Sequence, residues 1–259
     1  MILFTKIKRL LKVINYSFVL SGDFVSFFLF LFLFFSFKFF NKFKGIKVKM
    51  KFKGKKFNFY ITDRSDLSII EEMFVMEEYK IENINPSIIF DIGSNVGLSA
   101  IYFSLKYPGS KIYAFEPNKK TFLKMKRNVG SFNNIEIFNW AVADHDGQVE
   151  FFENERSMSS SIIKRSEKQE AVLVDCYKLD SILEKLNIEK IDLLKFDVEG
   201  FEYNVFSTFT KWNKVDYFIG EVHLDLMKEN LNQFTDLFVN YKIDLHKNSE
   251  KRFVLRAKK

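Results

Sequence analysis

From residue 88 onward, short apolar runs alternate with longer stretches of helical period. Residues 88–90 (Ile-Ile-Phe) precede an apolar-periodic segment at 96–107, and Lys111–Phe115 and Ile135–Phe138 follow as further short runs. Residues 149–151, Ile191–Phe196 and an apolar run ending in Gly220-Glu221-Val222-His223 add more strands, and Leu179-Asp180-Ser181-Ile182-Leu183 precedes the second of these. Residues 241–245 and 252–256, joined by 246–251, read as a closing hairpin. This alternation predicts an α/β fold, a mostly parallel sheet with helices on both faces. Upstream, residues 46–52 and 56–61 alternate apolar and polar around Gly54 and predict a hairpin. Residues 66–79 read as an amphipathic helix expected to cover the domain that follows. The pattern gives three parts: a basic, Phe-rich segment over 1–44, the hairpin and covering helix over 45–85, and the α/β domain over 86–259.

The chemistry concentrates at the end of the first run of that domain, Phe90-Asp91-Ile92-Gly93-Ser94-Asn95-Val96-Gly97. Gly93 permits a tight turn, and Gly97 is expected to let the helix start lie close to a ligand, because neither carries a Cβ. Unpaired N–H groups at a helix start suit a carboxylate or phosphate. The next strand ends in Glu116-Pro117-Asn118, and an acid at that tip is where a Rossmann-type fold grips ribose hydroxyls. Turn and acid together predict a nucleoside site. A dinucleotide fingerprint would read G-x-G-x-x-G, whereas here Asp91 precedes the first glycine. A carboxylate repels a pyrophosphate and attracts the ammonium of an amino acid, which favours S-adenosylmethionine.

The order of the motifs carries a family likeness. Asp-Ile-Gly-Ser-Asn-Val-Gly (91–97), Phe-Glu-Pro (115–117), Ala-Val-Ala-Asp (141–144), Leu-Asp (179–180), Lys-Phe-Asp-Val-Glu-Gly-Phe-Glu (195–202) and Glu-Val-His (221–223) together resemble the FkbM family of S-adenosylmethionine-dependent methyltransferases. The resemblance covers residues 66–223 and departs from the family pattern at Phe201, where a small residue is usual. It implies a Rossmann-like class I methyltransferase fold, a seven-stranded mostly parallel sheet with an antiparallel last strand. On that fold Asp91, Gly93, Ser94, Asn95, Gly97, Glu116, Pro117, Asn118, Ala141 and Asp197 are expected at the cofactor, and Asp91, Glu116, Ala141, Asp197 and His223 converge on one crevice.

Methyl transfer to a hydroxyl requires positioning and a general base. Asp197, Glu199, Glu221 and His223 are the candidates, and His223 has the most suitable unperturbed pKa, about 6.5. Three acids and a histidine can also take a divalent cation, but no dedicated metal spacing is present and none is assigned. Position 197–200 reads Asp-Val-Glu-Gly, not the Asn/Asp-Pro-Pro-aromatic turn common in base N-methylation. Cys176 reads as a strand residue, poorly placed as the nucleophile that cytosine C5 methylation needs. An oxygen acceptor remains, and the resemblance suggests a sugar or polyketide-type hydroxyl. Ser157-Met158-Ser159-Ser160-Ser161 reads as a loop over the crevice.

Charge refines the choice of partner. The 259 residues carry a net +7, but residues 1–60 hold 13 Lys/Arg and one acid, Asp23, so the rest of the chain carries −5. A nucleic-acid enzyme usually carries positive charge on its active face, so no nucleic-acid partner is expected. One cysteine excludes an internal disulfide and fits a reducing cytoplasm. Residues 24–37 are uncharged and dominated by Phe and Leu, with basic residues on both sides. As a helix this run reaches about 21 Å, short of a hydrocarbon core of roughly 30 Å. A helix at a membrane surface is the leading reading of residues 1–44, ahead of one packed on the enzyme body and of a span. No small-residue cleavage site follows, which argues against a removable signal peptide. The expectation is a cytoplasmic enzyme, peripheral on the inner face of a membrane, that O-methylates a sugar, glycan or glycolipid-type acceptor. The alternatives are an RNA methyltransferase and a non-enzymatic membrane-surface protein with a vestigial nucleoside site.

Overall fold

In the computed structural model, which describes residues 2–36, 42–153, 160–167 and 169–259, the N-terminal segment forms two helices, α1 (Ile2–Leu20) and α2 (Phe24–Ser36). The break between them is set by polar chemistry. Asp23 accepts the backbone N–H of Ser26 at 2.8 Å and so starts the second helix. Ser26, Phe30, Leu33 and Ser36, spaced three or four apart, form the buried face of α2. The alternation beyond them folds as the expected hairpin, β1 (Lys42–Phe52) against β2 (Lys55–Asp63), turning at Lys53-Gly54. Val48, Met50 and Phe52 point inward with Phe57, Phe59 and Ile61, while Lys47, Lys49 and Lys51 point out. Helix α3 (Arg64–Phe74) follows, begun by a reciprocal cap between Asp63 and Asp66. It is shorter than the expected 66–79, because Glu77 takes a left-handed φ of 47° that no helix continues. Among the described residues, no helix is long and apolar enough to cross a membrane.

The chain divides into two compact units, Met1–Lys80 and Ile81–Lys259. The two helices and the hairpin thus share one unit, whereas the sequence pattern put a boundary at 44/45 and a second at 85/86.

The second unit runs β3 (Ile88–Ile92), α4 (Leu98–Lys106), β4 (Lys111–Phe115), α5 (Lys119–Val129) and β5 (Ile135–Phe138). Next come β6 (Ala141–Val142), β7 (Gly147–Glu153), β8 (Glu170–Tyr177) and α6 (Leu179–Lys185). The chain closes through β9 (Ile191–Phe196), α7 (Glu202–Ser207), β10 (Val215–His223), α8 (Leu231–Thr235), β11 (Lys242–Lys247) and β12 (Arg252–Lys258). The main sheet has the order β11-β12-β10-β9-β3-β4-β5. Strand β12 runs antiparallel to both neighbours, and the other pairings are parallel. This is the seven-stranded Rossmann-like arrangement that the motif order implied. Strands β6, β8 and β7 form a separate three-stranded sheet, with Cys176 buried at its centre.

The phenylalanines of this unit build its core. Phe196, Phe206, Phe218, Phe234 and Phe238 are all buried, and Phe206 meets each of the other four with ring centroids 4.9 to 6.2 Å apart. Fully burying one such side chain is worth about 1.5–3 kcal/mol. That packing fixes β9 and β10 from one side and holds their carboxyl ends in place. The chain order reverses at β3: β4 and β5 extend to one side and β9 and β10 to the other. A crevice outside the strand ends at such a switch point is where α/β sheets bind ligands.

Candidate active site

Two groups of polar side chains meet at the switch point. The first is organised from inside by Asp91, which is fully buried at the end of β3. Its Oδ2 accepts the hydroxyls of Ser94 and Ser99, each at 2.6 Å, and its Oδ1 lies 3.2 Å from the Nζ of Lys195. Lys195 is paired with Asp91 across adjacent strands and is only 2% exposed. Its ammonium also donates to the carbonyls of Ile92 at 3.2 Å and Gly93 at 2.8 Å. A buried charge is tolerable only when paired and hydrogen-bonded, and here both ions are. Asp91 therefore shapes the glycine turn through Ser94 and Lys195. The sequence pattern had it facing an incoming ammonium.

The turn itself is as tight as expected. Gly93 has φ 73°, and a Cβ there would lie 1.9 Å from the carbonyl oxygen of Asp197, so only glycine lets β3 close against the end of β9. Gly97 serves a different purpose from the one its position suggested. With φ 89°, it presents the place of its missing Cβ to Met125 and Val129 of α5, at 3.0 and 2.9 Å. It allows helix packing and does not by itself open a ligand surface. Glu116 closes the loop from β4: Oε2 accepts the N–H of Asn95 at 3.0 Å, and Oε1 accepts that of Asn118 at 2.8 Å. Asn118 then caps α5 through the N–H of Thr121, and Pro117 offers its carbonyl to Asn139. Burial raises the carboxyl of Glu116, against the pull of those two N–H groups, to about 7. Ala141 is buried in β6 beside Cys176, whose thiol burial pushes up to about 11.

The second group lies at the carboxyl ends of β9 and β10. His223 is 1% exposed. Its Nδ1 is 2.7 Å from Oε1 of the fully buried Glu202, and its Nε2 is 3.1 Å from Glu221, 3.6 Å from Glu199 and 3.9 Å from Asp197. Burial by itself would lower the imidazole's pKa, but Glu202, Glu221 and the charge of Asp197 outweigh it and push it up to about 11. The ordinary value that made His223 the first choice of base does not hold here, and at neutral pH this ring is an imidazolium. Asp197 moves the other way from a usual carboxylate: burial, then the charge of Glu221, push it up to about 7. Glu199 sits in a left-handed turn with φ 53° and is held by Arg165, whose guanidinium donates to its Oε2 at 2.8 Å and its carbonyl at 3.1 Å. Asp197, Glu221 and His223 each offer an atom within 4.8 Å of the others, a spacing that can hold one cation.

The two groups are joined through the backbone, since Asp197 donates its N–H to the carbonyl of Ile92 at 3.1 Å. Of the expected residues, Asp91, Gly93, Ser94, Asn95, Glu116 and Asn118 gather around the turn, and Asp197, Glu199, Glu221 and His223 gather opposite. Lys195, Glu202 and Arg165 belong to the site as well. The first two stand inside a motif that marked the family, but nothing local gave them a role. Residues 157–159 of the expected loop lie outside the described residues, whereas Ser161 is tied to Phe152 by two backbone hydrogen bonds.

The residues fit S-adenosylmethionine. Oδ1 of Asn95 and Oδ1 of Asp197 are buried oxygens with no hydrogen-bond partner among the described residues. Such atoms in a native site call for a donor, and the cofactor's ammonium and ribose hydroxyls are donors.

Residues 91–240 match the methyltransferase FkbM domain. Methyltransferase 1 of Beauveria bassiana is 27% identical over 179 residues, covering 60% of this chain and 72% of that protein. The 2-O-methyltransferase NoeI of Sinorhizobium fredii is 28% identical over 134 residues, covering 46% of this chain and 55% of its own length. The crystal structure of the methyltransferase FkbM from Methylobacillus flagellatus superposes with a TM-score of 0.50 at 13% identity, covering 72% of this chain and 47% of the other. The chain thus spans about half the length of the last two, and the likeness to the solved structure agrees with the fold described above. It belongs to the FkbM methyltransferase family, an enzyme with S-adenosylmethionine as methyl donor.

Proposed function

We propose that this enzyme transfers the methyl group to a hydroxyl of a sugar, glycan or glycolipid-type acceptor, with Asp197 as the group that takes the proton. The observation that carries this reading is the carboxylate cluster around His223, at the carboxyl ends of β9 and β10 beside the glycine turn. A hydroxyl is a weak nucleophile until a base removes its proton, and a base works best with a pKa near the operating pH. Asp197, pushed up to about 7, meets that condition, whereas His223 at about 11 does not. The donor, once bound, supplies a methyl group on a cationic sulfur. The chain's part is to hold the acceptor oxygen in line and to receive its proton at Asp197. Glu221 and Glu199 are suited to accept hydrogen bonds from neighbouring hydroxyls of a polyol, and His223 keeps the three acids from repelling one another. A relative called a 2-O-methyltransferase supports an oxygen acceptor. The second unit holds 25 Lys/Arg against 26 Asp/Glu, a balance that supports RNA poorly.

The test is mass spectrometry of cell glycans with and without the gene, followed by transfer from labelled S-adenosylmethionine to the acceptor so identified. Loss of one methyl group from a saccharide is the expected result. Label appearing in RNA alone would overturn it.

Glu116 adds a pH dependence whose sign follows from burial. Ribose hydroxyls donate to the carboxylate and not to the acid, so binding removes a proton from a group that titrates near 7. Above that pH affinity is constant. Below it, affinity falls toward tenfold per pH unit, about 1.4 kcal/mol each. Calorimetry at pH 8 and pH 6 should show roughly a tenfold weaker Kd at the lower pH, and Glu116→Gln should flatten the difference. Equal affinities for the wild-type enzyme at both values would remove Glu116 from the ribose.

A further inference from the structure

We infer that the N-terminal unit is a docking module for an anionic lipid surface, built from α1, α2 and the hairpin together. Among the described residues, ten of the fourteen exposed large hydrophobic side chains fall between Leu10 and Phe35, so the apolar exposure is concentrated on one element pair. Helix α2 buries Ser26, Phe30 and Leu33 on its inner face. Its outer face carries Phe24, Val25, Phe28 and Phe35, with Phe24 78% exposed, and it has no polar stripe. On α1, Leu11 and Phe18 stand on one face at 59% and 71% exposure. A surface helix ordinarily turns charged residues to water, and contiguous apolar exposure of this size marks an interaction site.

Charge decides the occupant. Lys49, Lys51, Lys53, Lys55 and Lys56 all project from the hairpin into solvent. Backbone bonds hold that hairpin to the helix pair: Gly22 donates to the carbonyl of Lys49 at 2.6 Å, and the N–H of Lys49 donates to Ser26 Oγ at 2.8 Å. Asp23, next to Phe24, feels the charges of Lys49 and Lys56, so the lysine face adjoins the start of the apolar one. Rings and aliphatic side chains flanked by lysines match the acyl boundary and headgroups of an anionic leaflet. A self-complementary dimer face would instead repel itself through its lysines. At 13 residues, about 20 Å, α2 can lie in such an interface but not cross it. Residues 1–44 were expected to make this contact by themselves. The lysines at 47–56 extend it, and the shared core of α2 and β1 makes it one folded piece. The inference does not rest on the acceptor.

The experiment is sedimentation of the full chain with vesicles of neutral lipid alone and of neutral lipid with a third anionic lipid. Light scattering and S-adenosylmethionine affinity are measured on the same samples. The full chain should bind the anionic vesicles at least tenfold more tightly than the neutral ones. Phe24→Glu with Phe28→Glu, both on the exposed face, should abolish binding to either without changing the melting temperature. Lys51→Gln, Lys53→Gln, Lys55→Gln and Lys56→Gln together should remove the anionic preference. Equal binding to both vesicles, unchanged binding by the Phe variant, or a tight dimer that the Phe variant dissolves would each overturn the inference. Cofactor affinity should not move in any variant, so failure here leaves the enzymatic reading standing.

Discussion

Replacing Asp197 by asparagine should lower kcat by 10²–10⁴-fold on the true acceptor while S-adenosylmethionine still binds. The range is what removal of a general base typically costs. Asparagine keeps an oxygen and nearly the same volume, so the contact of residue 197 with the turn through its backbone N–H survives. What disappears is a proton acceptor that titrates near 7. The acid limb of the pH–rate profile should therefore vanish along with turnover, a change that a merely structural side chain would not produce. His223→Ala should behave differently. It removes the cation that separates Glu202, Glu221 and Asp197, and breaking a buried pair in this way costs about 3–5 kcal/mol of stability. A stable, inactive His223→Ala protein beside a fully active Asp197→Asn protein would reverse the assignment and return the base to the histidine.

Gly93→Ala should cost about 100-fold or more in cofactor affinity, roughly 2.8 kcal/mol at about 1.4 kcal/mol per decade. Two effects add. A left-handed backbone charges an alanine about 1–2 kcal/mol, and the new methyl would meet the carbonyl oxygen of Asp197 at 1.9 Å. That oxygen is backbone and cannot swing away, so β3 and β9 must part and the turn opens. Gly97→Ala provides the control. It has the same backbone penalty, but its methyl meets the side chains of Met125 and Val129 at about 3 Å, which can shift. It should lose stability more than affinity. Calorimetry and thermal unfolding of both variants separate the cases, and Gly93→Ala binding within threefold of wild type would show that the turn does not form the cofactor seat.

What could be read from the sequence was local. Gly93, Glu116 and the strands before them are fixed by neighbours a few residues away, so the turn and the tip acid follow from pattern, whereas the seven-stranded order came from the family resemblance. The roles that changed depend on contacts across the sheet. Lys195 lies in an apolar strand and its ion partner Asp91 is 104 positions earlier, a pairing visible only once β3 and β9 are adjacent. Arg165 reaches Glu199 from a segment with no pattern of its own. The intrinsic pKa of His223 pointed to a base, and the three carboxylates that raise it, Glu202, Glu221 and Asp197, come from two strand ends and a helix. Residues 1–44 read as one helical segment, and its division into α1 and α2 depends on Gly22 and Lys49 of the hairpin meeting, a contact across 27 positions.

The small sheet of β6, β7 and β8 enters the chain beside β5, which is an edge of the main sheet. Material inserted at an edge breaks no ladder, so its length and sequence can drift while the pairing of β3 with β9 stays in register. Arg165, from the same insertion, still touches the acidic cluster. The insertion also reaches the other group, since Asn118 donates from its side chain to Glu153 of β7 at 2.9 Å. One inserted piece thus braces both halves of the crevice from outside the main ladder, as a buttress does a wall.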